Sequence, residues 1–132
     1  MIIVTAAIIE KNQKVLLARR KLGKHLEGFW EFPGGKIENN ETPEECLKRE
    51  LSEELSILAE INDFFVENIH EYPDKKIKLL AYKVNIISGD FKLSDHDKIV
   101  WVRPEKILTY QLAPADIPIA EAYINYNKEI FE

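Results

Sequence analysis

The chain has 132 residues, of which 45% are hydrophobic and 31% are charged, as in ordinary folded globular proteins. A chain of this length buries a core without disulfides or metal staples, and we expect one domain over residues 1–132. The net charge of -5 argues against a broad basic face for polymeric nucleic acid. The single cysteine, Cys46, excludes an internal disulfide and a cysteine-rich zinc site.

The chain begins with an apolar stretch, Ile2 to Ile9, that is too short to span a membrane. It also lacks the positively charged lead of a signal peptide. We therefore expect a cytoplasmic protein with no membrane partner. Nothing in the sequence specifies an oligomeric state.

The residue pattern predicts a mixture of strands and helices without repeats. The predicted strands are, in chain order, Ile2–Glu10, Lys14–Arg20, Trp30–Phe32, Phe64–Tyr72, Lys76–Ile86 and Ile99–Val102. The first two form a predicted hairpin, and the fourth and fifth form a second pair. One helix follows Thr42, and another is predicted from Ala115 to Phe131 with Asp116 as its cap.

The first predicted helix has a well-marked beginning. Thr42 can cap it, Pro43 suits the first helical position, and Glu45 stands where a capping box requires glutamate. At about 100° per residue, one stripe of the helix is apolar and faces the core. This stripe consists of Leu47, Leu51 and Leu55.

The same helix crowds carboxylates onto a second face, where Glu50, Glu53 and Glu54 are neighbours. Like charges at these spacings destabilise a helix by a few tenths of a kcal/mol per pair, and Arg49 offsets only part of this. Three close carboxylates suit a hard divalent cation, Mg²⁺ or Mn²⁺. A solvated acidic face is the alternative interpretation.

The segment before the helix favours the metal interpretation. Gly34 and Gly35 form a loop whose backbone can approach a ligand closely. Lys36 follows directly and can reach a phosphate. Glu41 lies just before the helix, where its carboxylate can orient the loop or Arg49.

These residues resemble the Nudix box. Gly35 is followed after five residues by Glu41 and after seven more by Arg49-Glu50-Leu51-Ser52-Glu53-Glu54-Leu55-Ser56-Ile57. Every consensus position is met except one, because Ser56 stands where the family has glycine. That glycine favours a left-handed helix end, and another residue there costs about 1 kcal/mol.

The resemblance extends over nearly the whole chain and points to the MutT-like branch. Residues 28–36 look like that branch, and residues 112–118 are similar to its CTP and modified-pyrimidine pyrophosphohydrolases. The resemblance implies an α/β fold, an α/β/α sandwich around a mixed sheet. It also implies hydrolysis of a nucleoside triphosphate, normal or damaged, to the monophosphate and pyrophosphate.

The resemblance further implies roles for individual residues. Glu53, Glu54 and the Gly35 carbonyl would bind the metal, whereas Glu50 would bind a further metal or accept the proton of water. Arg49 would orient these glutamates. Asp95 is a candidate metal ligand or base ahead of Asp97, although a polar turn explains both equally well. His96 reads as a loop residue.

Substrate contacts are assigned to three further residues. Lys36 and Arg20 are the candidates for the phosphates, Arg20 being the weaker because an arginine at a strand end is often solvated. Asp116 aligns with a base-reading position, where a carboxylate accepts from the amine of cytosine or adenine. Capping of the last helix is its alternative role. Trp30 and Tyr72 are candidates for stacking on the base, although large aromatic residues in strands more often belong to the core.

Two other readings stay open at this point. One is a Nudix hydrolase of another diphosphate, such as a nucleoside diphosphate sugar. The other is a nucleotide-binding module that has lost catalysis, although the intact Glu50, Glu53 and Glu54 argue against it.

Overall fold

The computed structural model describes the backbone of residues 1–131 and the side chains of residues 1–130. The strands are β1 (Ile2–Lys11), β2 (Lys14–Arg20), β3 (Trp30–Glu31), β4 (Leu58–Tyr72), β5 (Lys75–Ser88) and β6 (His96–Val102). The α-helices are α1 (Pro43–Leu55) and α2 (Ile117–Phe131). Two short 3₁₀ helices, Pro104–Thr109 and Pro114–Asp116, lie between β6 and α2.

The sheet is mixed, with strand order β3-β2-β1-β5-β4 and β6 paired to β2. β1 and β5 are parallel, and the other strand pairs are antiparallel. The predicted hairpin of β1 and β2 is confirmed, but only Glu10–Val15 and Lys11–Lys14 pair within it. β2 then continues along β6, since the edge of β1 beyond the hairpin is occupied by the chain around Gly35.

One helix covers each face of the sheet, so the predicted α/β/α sandwich is confirmed. The core on the α1 side includes Ala7, Ile9, Leu47, Leu51, Leu55 and Val84. The core on the α2 side includes Ile8, Leu17, Phe32, Leu79, Ile119 and Tyr123. Within residues 1–131, neither helix is long and apolar enough to cross a membrane.

α1 begins as predicted and buries the predicted stripe. Thr42 Oγ1 accepts from the Glu45 amide at 3.1 Å, and the Glu45 carboxylate accepts from the Thr42 amide at 2.9 Å. The helix ends at Ser56, which has φ 60° and ψ 35°. This is the left-handed conformation that glycine adopts without a Cβ penalty, so the serine strains the helix end.

The prediction that Asp116 caps α2 is wrong. The Asp116 side chain is buried and accepts a hydrogen bond from the Phe32 amide at 2.9 Å, just after β3, and not from its own helix. The preceding 3₁₀ turn leads into α2 without such a cap, and Pro118 lies in the first turn of the helix as predicted.

The geometry of Ser56 predicts that Ser56→Gly will stabilise the protein. Glycine adopts φ 60° without steric penalty, and we expect the free energy of unfolding to rise by about 1 kcal/mol. Urea denaturation of both proteins measures the difference.

Ser52→Gly is the matched control, because Ser52 is exposed and lies in the helical part of the same turn. There glycine loses backbone entropy, so the free energy of unfolding should fall by about 0.5 kcal/mol. A loss of stability in both variants would show that the Ser56 backbone is not strained.

Candidate active site

A cleft of about 380 Å³ brings together most of the residues predicted from the sequence. Its lining includes Arg20, Gly35, Lys36, Glu50, Glu54, Asp95 and Asp116. Two predicted residues, Arg49 and Glu53, are not in the cleft wall. The cleft therefore joins the acidic face of α1 to the distant Asp116 at the start of α2.

The Gly34-Gly35 loop is bound to β1 by backbone hydrogen bonds. The Thr5 amide donates to the Gly35 carbonyl at 2.7 Å, and the Ala7 amide donates to the Pro33 carbonyl at 2.7 Å. A Cβ atom on Gly34 would lie 2.0 Å from the Thr5 carbonyl oxygen. A Cβ atom on Gly35 would lie 2.2 Å from the carboxyl carbon of Glu50. Gly34 is thus required by a contact with backbone, whereas a side chain at Gly35 would displace the Glu50 carboxylate.

The Gly35 carbonyl, predicted as a metal ligand, is already engaged. Besides the Thr5 amide, the Thr5 hydroxyl lies 3.1 Å from this oxygen and donates to it. The Cys46 thiol lies 3.6 Å from the same oxygen and 3.6 Å from the Thr5 hydroxyl. A metal ion at this oxygen would therefore compete with the Thr5 hydroxyl, which has Cys46 Sγ as an alternative partner.

Arg49 organises the carboxylates around it. Its guanidinium binds both oxygens of Glu41, at 2.5 and 3.0 Å. Its Nη1 atom also donates to Glu50 at 3.0 Å and to Glu53 at 3.1 Å. Arg49 lowers the pKa of Glu41 to about 2. The orienting role predicted for Arg49 and the contact predicted for Glu41 both match this geometry.

Glu54 is the buried carboxyl group of the cluster. The residue is only 8% exposed. Burial, together with the neighbouring Glu50, raises the pKa of its carboxyl group to about 9. Its Oε2 atom is buried and has no hydrogen-bond partner among the described residues. Burying such an atom without a partner costs free energy, so the site is incomplete as it stands.

The donor chemistry of this cluster fits a divalent cation. Among residues 1–130, no three acidic, histidine or cysteine side chains converge closely enough to enclose a metal ion in their present positions. Glu50 and Glu53 instead hold Arg49. All the available donors are carboxylate oxygens, which Mg²⁺ and Mn²⁺ prefer, and a cation would satisfy the unpartnered oxygen of Glu54.

Asp95 is brought to the cleft by the segment that follows β5. The Lys92 amide donates to the Leu55 carbonyl at 3.1 Å, and the Ser94 amide donates to the Glu54 carbonyl at 3.2 Å. These bonds satisfy the last carbonyls of α1 and place Asp95 beside the end of the helix. Its carboxylate pairs with Lys24 at 3.1 Å, and this contact lowers its pKa. Asp97 instead binds Arg19 and lies outside the cleft.

A carboxylate that the sequence prediction missed, Glu31, lies at the centre of the cleft wall. Both of its oxygens accept from Arg20 Nη1, at 3.2 and 3.1 Å. His96 Nε2 lies 2.8 Å from Glu31 Oε2, and His96 is buried rather than a loop residue as predicted. A charged residue between Trp30 and Phe32 in an otherwise apolar strand was the available signal.

The cleft contains both cations predicted for the phosphates, Arg20 and Lys36, together with others that were not predicted. Arg20 reaches the cleft, but its guanidinium is held by Glu31 and by the His25 carbonyl. Lys36 and Lys75 also line the cleft, and neither forms an ion pair within residues 1–130. Lys75, which begins β5, was not predicted from the sequence. Within the part of the chain that the structure describes, these two cleft lysines have no ion-pair partner.

Asp116 and Tyr72 lie in the part of the cleft near Glu31 and Arg20. Burial and the nearby Glu31 raise the pKa of Asp116. The Tyr72 hydroxyl accepts a hydrogen bond from the Ala115 amide at 3.2 Å. Trp30, the other aromatic candidate, packs against Tyr110 outside the cleft, so its predicted stacking role is wrong.

Comparison with known proteins agrees with this geometry. The chain is 43% identical to CTP pyrophosphohydrolase of Escherichia coli (strain K12), over 94% of this chain and 92% of that protein. It is 34% identical to 8-oxo-dGTP diphosphatase of Haemophilus influenzae, over 94% and 93% of the two chains.

The fold has close counterparts among solved structures. The solution structure of the E. coli ORF135 protein superposes with a TM-score of 0.84 at 40% identity, covering 96% of this chain and 91% of that chain. The sequence model of the NUDIX domain matches residues 4–122. This chain therefore belongs to the Nudix family.

Proposed function

We propose that the protein hydrolyses a nucleoside triphosphate to the monophosphate and pyrophosphate in a reaction that requires a divalent cation. The observation that carries the proposal is the unpartnered, buried oxygen of Glu54 beside Glu50 in a cleft that also presents free lysines. This pattern suits a polyphosphate that binds together with a cation. The names of the two relatives support a nucleoside triphosphate substrate.

The cation would be Mg²⁺ or Mn²⁺, held by Glu50, Glu53 and Glu54, with Asp95 as a further donor. When bound, it supplies charge neutralisation for the phosphates and lowers the pKa of a water molecule. The Gly35 carbonyl would be a further ligand once the Thr5 hydroxyl, which donates to it, turns to Cys46 Sγ 3.6 Å away. Gly35 also makes room for the Glu50 carboxylate.

The side chains around the cation would have distinct tasks. Arg49 holds Glu50 and Glu53 in fixed positions while its charge reduces the repulsion between them. Glu50 uses one oxygen for Arg49, which leaves the other to bind a further cation or to accept the proton of the attacking water. Lys36 and Lys75 would bind the phosphates. Arg20 would also bind the phosphates, through the part of its guanidinium that Glu31 does not contact.

The base would enter the inner end of the cleft next to Asp116. In its ionised form, Asp116 would hold the Phe32 amide with one oxygen and accept from an exocyclic amine with the other. Cytosine and adenine carry such an amine, whether unmodified or damaged elsewhere in the ring. We propose sanitation of the cytoplasmic nucleotide pool as the role of this activity.

The proposed chemistry predicts turnover of nucleoside triphosphates in the presence of Mg²⁺. A panel of unmodified, oxidised and methylated triphosphates, with a nucleoside diphosphate sugar, is assayed for pyrophosphate and monophosphate. We expect turnover of amine-bearing triphosphates, with kcat/KM at least about 100-fold lower in Glu53→Gln and Glu54→Gln. Loss of an outer-shell partner alone costs 10- to 100-fold, so loss of a ligand should cost more.

Glu44→Gln is the matched control for this assay, since Glu44 is exposed on the same helix and outside the cleft. Its activity should equal that of the wild type. Turnover of the diphosphate sugar alone would mean that the protein is a cation-dependent hydrolase whose substrate is not a nucleoside triphosphate. No turnover of any compound would favour a nucleotide-binding module.

Cation binding is predicted to stabilise the fold even without substrate. At a Mg²⁺ or Mn²⁺ concentration 100 times Kd, the stabilisation is about 2.7 kcal/mol, which corresponds to several degrees in Tm. The metal-free Tm of Glu54→Gln should stay close to that of the wild type, because the raised pKa of about 9 keeps Glu54 neutral at pH 7. The metal-dependent rise should be lost in this variant.

Thermal unfolding monitored by circular dichroism measures both quantities. A wild type whose Tm is the same with and without the cation would contradict a metal site formed by the free protein. An equal rise in the wild type and in Glu54→Gln would place the cation elsewhere.

A further inference from the structure

The Tyr72 side chain is fixed in the wall of the cleft at the end that would receive the base. Tyr72 is the last residue of β4, and its ring is half-buried. His70 packs edge-on against it with ring centroids 4.4 Å apart, and His25 does so from the loop after β2 at 6.0 Å. The position of the hydroxyl group is therefore well defined.

The hydrogen bonding of Tyr72 leaves its proton free. The hydroxyl oxygen accepts from the Ala115 amide at 3.2 Å. A phenol can accept and donate at the same time, and no acceptor for its own O–H occurs among the hydrogen bonds of residues 1–130. Asn68 donates to the Ala115 carbonyl at 3.0 Å, which holds Ala115 from its other side. The hydroxyl thus offers a donor at a fixed place.

Asp116 offers an acceptor beside this donor. It follows Ala115 directly, and the Phe32 amide occupies only its Oδ2 atom. Asp116 and Tyr72 line the same cleft and influence each other electrostatically, since Asp116 contributes to the raised pKa of Tyr72. The apolar side chains around them include Ile2, Val4, Phe32, Ile77 and Leu79. In such surroundings an unpaired polar group of a ligand is costly.

An adjacent acceptor and donor match only some nucleobases. Cytosine presents its N4 amine next to the N3 acceptor, and adenine presents its N6 amine next to the N1 acceptor. Uracil presents the reverse order, a carbonyl oxygen next to an N–H group, and guanine does so at its O6 and N1 atoms. Guanine carries an amine next to a ring acceptor only at N2 and N3, on the edge beside the sugar. A mismatch would leave buried polar groups unpaired, which is the strongest basis for rejection of a ligand.

We propose that Tyr72 determines base specificity. Asp116 accepts a hydrogen bond from the exocyclic amine of the base, and the Tyr72 hydroxyl donates a hydrogen bond to the ring nitrogen next to that amine. The two residues together select cytosine-type or adenine-type bases. This inference rests on the proposed function, because it assigns the substrate class of the same cleft. It assigns a role to the hydroxyl group that is separate from stacking of the ring.

The test compares Tyr72→Phe with the wild type on CTP and on 3-deazacytidine triphosphate, in which a C–H group replaces N3. In the wild type, loss of one hydrogen bond should lower kcat/KM for the deaza compound roughly three- to tenfold relative to CTP. Tyr72→Phe should lower kcat/KM for CTP by a similar factor and leave the value for the deaza compound unchanged. Tyr110→Phe, which lies against Trp30 outside the cleft, is the matched control.

Binding of the monophosphates separates this inference from the proposed hydrolysis. The Kd values of CMP, 3-deaza-CMP and UMP, measured by calorimetry without turnover, should show the same pattern and a preference for CMP over UMP. If the pattern appears without hydrolysis of any triphosphate, the proposed function fails and base selection by Tyr72 stands.

Two results would overturn the inference itself. An equal loss for CTP and its deaza analogue in Tyr72→Phe would mean that the hydroxyl acts only by holding Ala115 in place. Preference of the wild type for UTP and UMP would mean that the cleft presents the opposite hydrogen-bonding pattern.

Discussion

The pairing of the Gly34-Gly35 loop with β1 is the constraint on which the rest of the site depends. β1 lies in the middle of the sheet, with β5 on one side and this loop on the other for much of its length. The two backbone bonds from Thr5 and Ala7 align the loop with a rigid strand. The loop then approaches α1 so closely that Gly35 touches the Glu50 carboxylate. The central strand β1 therefore sets the position of the loop relative to Glu50.

Electrostatic balance is the second constraint. α1 carries more carboxylates than its own cations can neutralise, and Arg49 is shared among Glu41, Glu50 and Glu53. Glu54 lies beyond the reach of this arginine and is kept neutral by a raised pKa. A buried carboxyl group in a cleft, with its pKa raised by burial and by a neighbouring carboxylate, is common at functional sites.

At the opposite end of the cleft, buried charged groups are also only partly paired, and the residues are different. Arg20 and His96 satisfy Glu31, while Asp116 is satisfied at one oxygen by the Phe32 amide. Buried polar groups are expensive unless they are paired, so each of these contacts restricts where the chain can lie. The cleft thus joins the acidic face of α1 to Asp116, and these two ends come from segments that are distant in the chain.

The sequence by itself determined the elements, the capping of α1, its buried leucine stripe and the candidate acidic cluster, because these depend on local spacing. Seven of the nine predicted site residues line one cleft. Only the tertiary structure decided the partners of Glu31, His96, Asp116 and the Gly35 carbonyl, which lie far away in the chain or on neighbouring strands. Sequence periodicity reports which face a side chain occupies, whereas the packing of distant segments decides what that face meets.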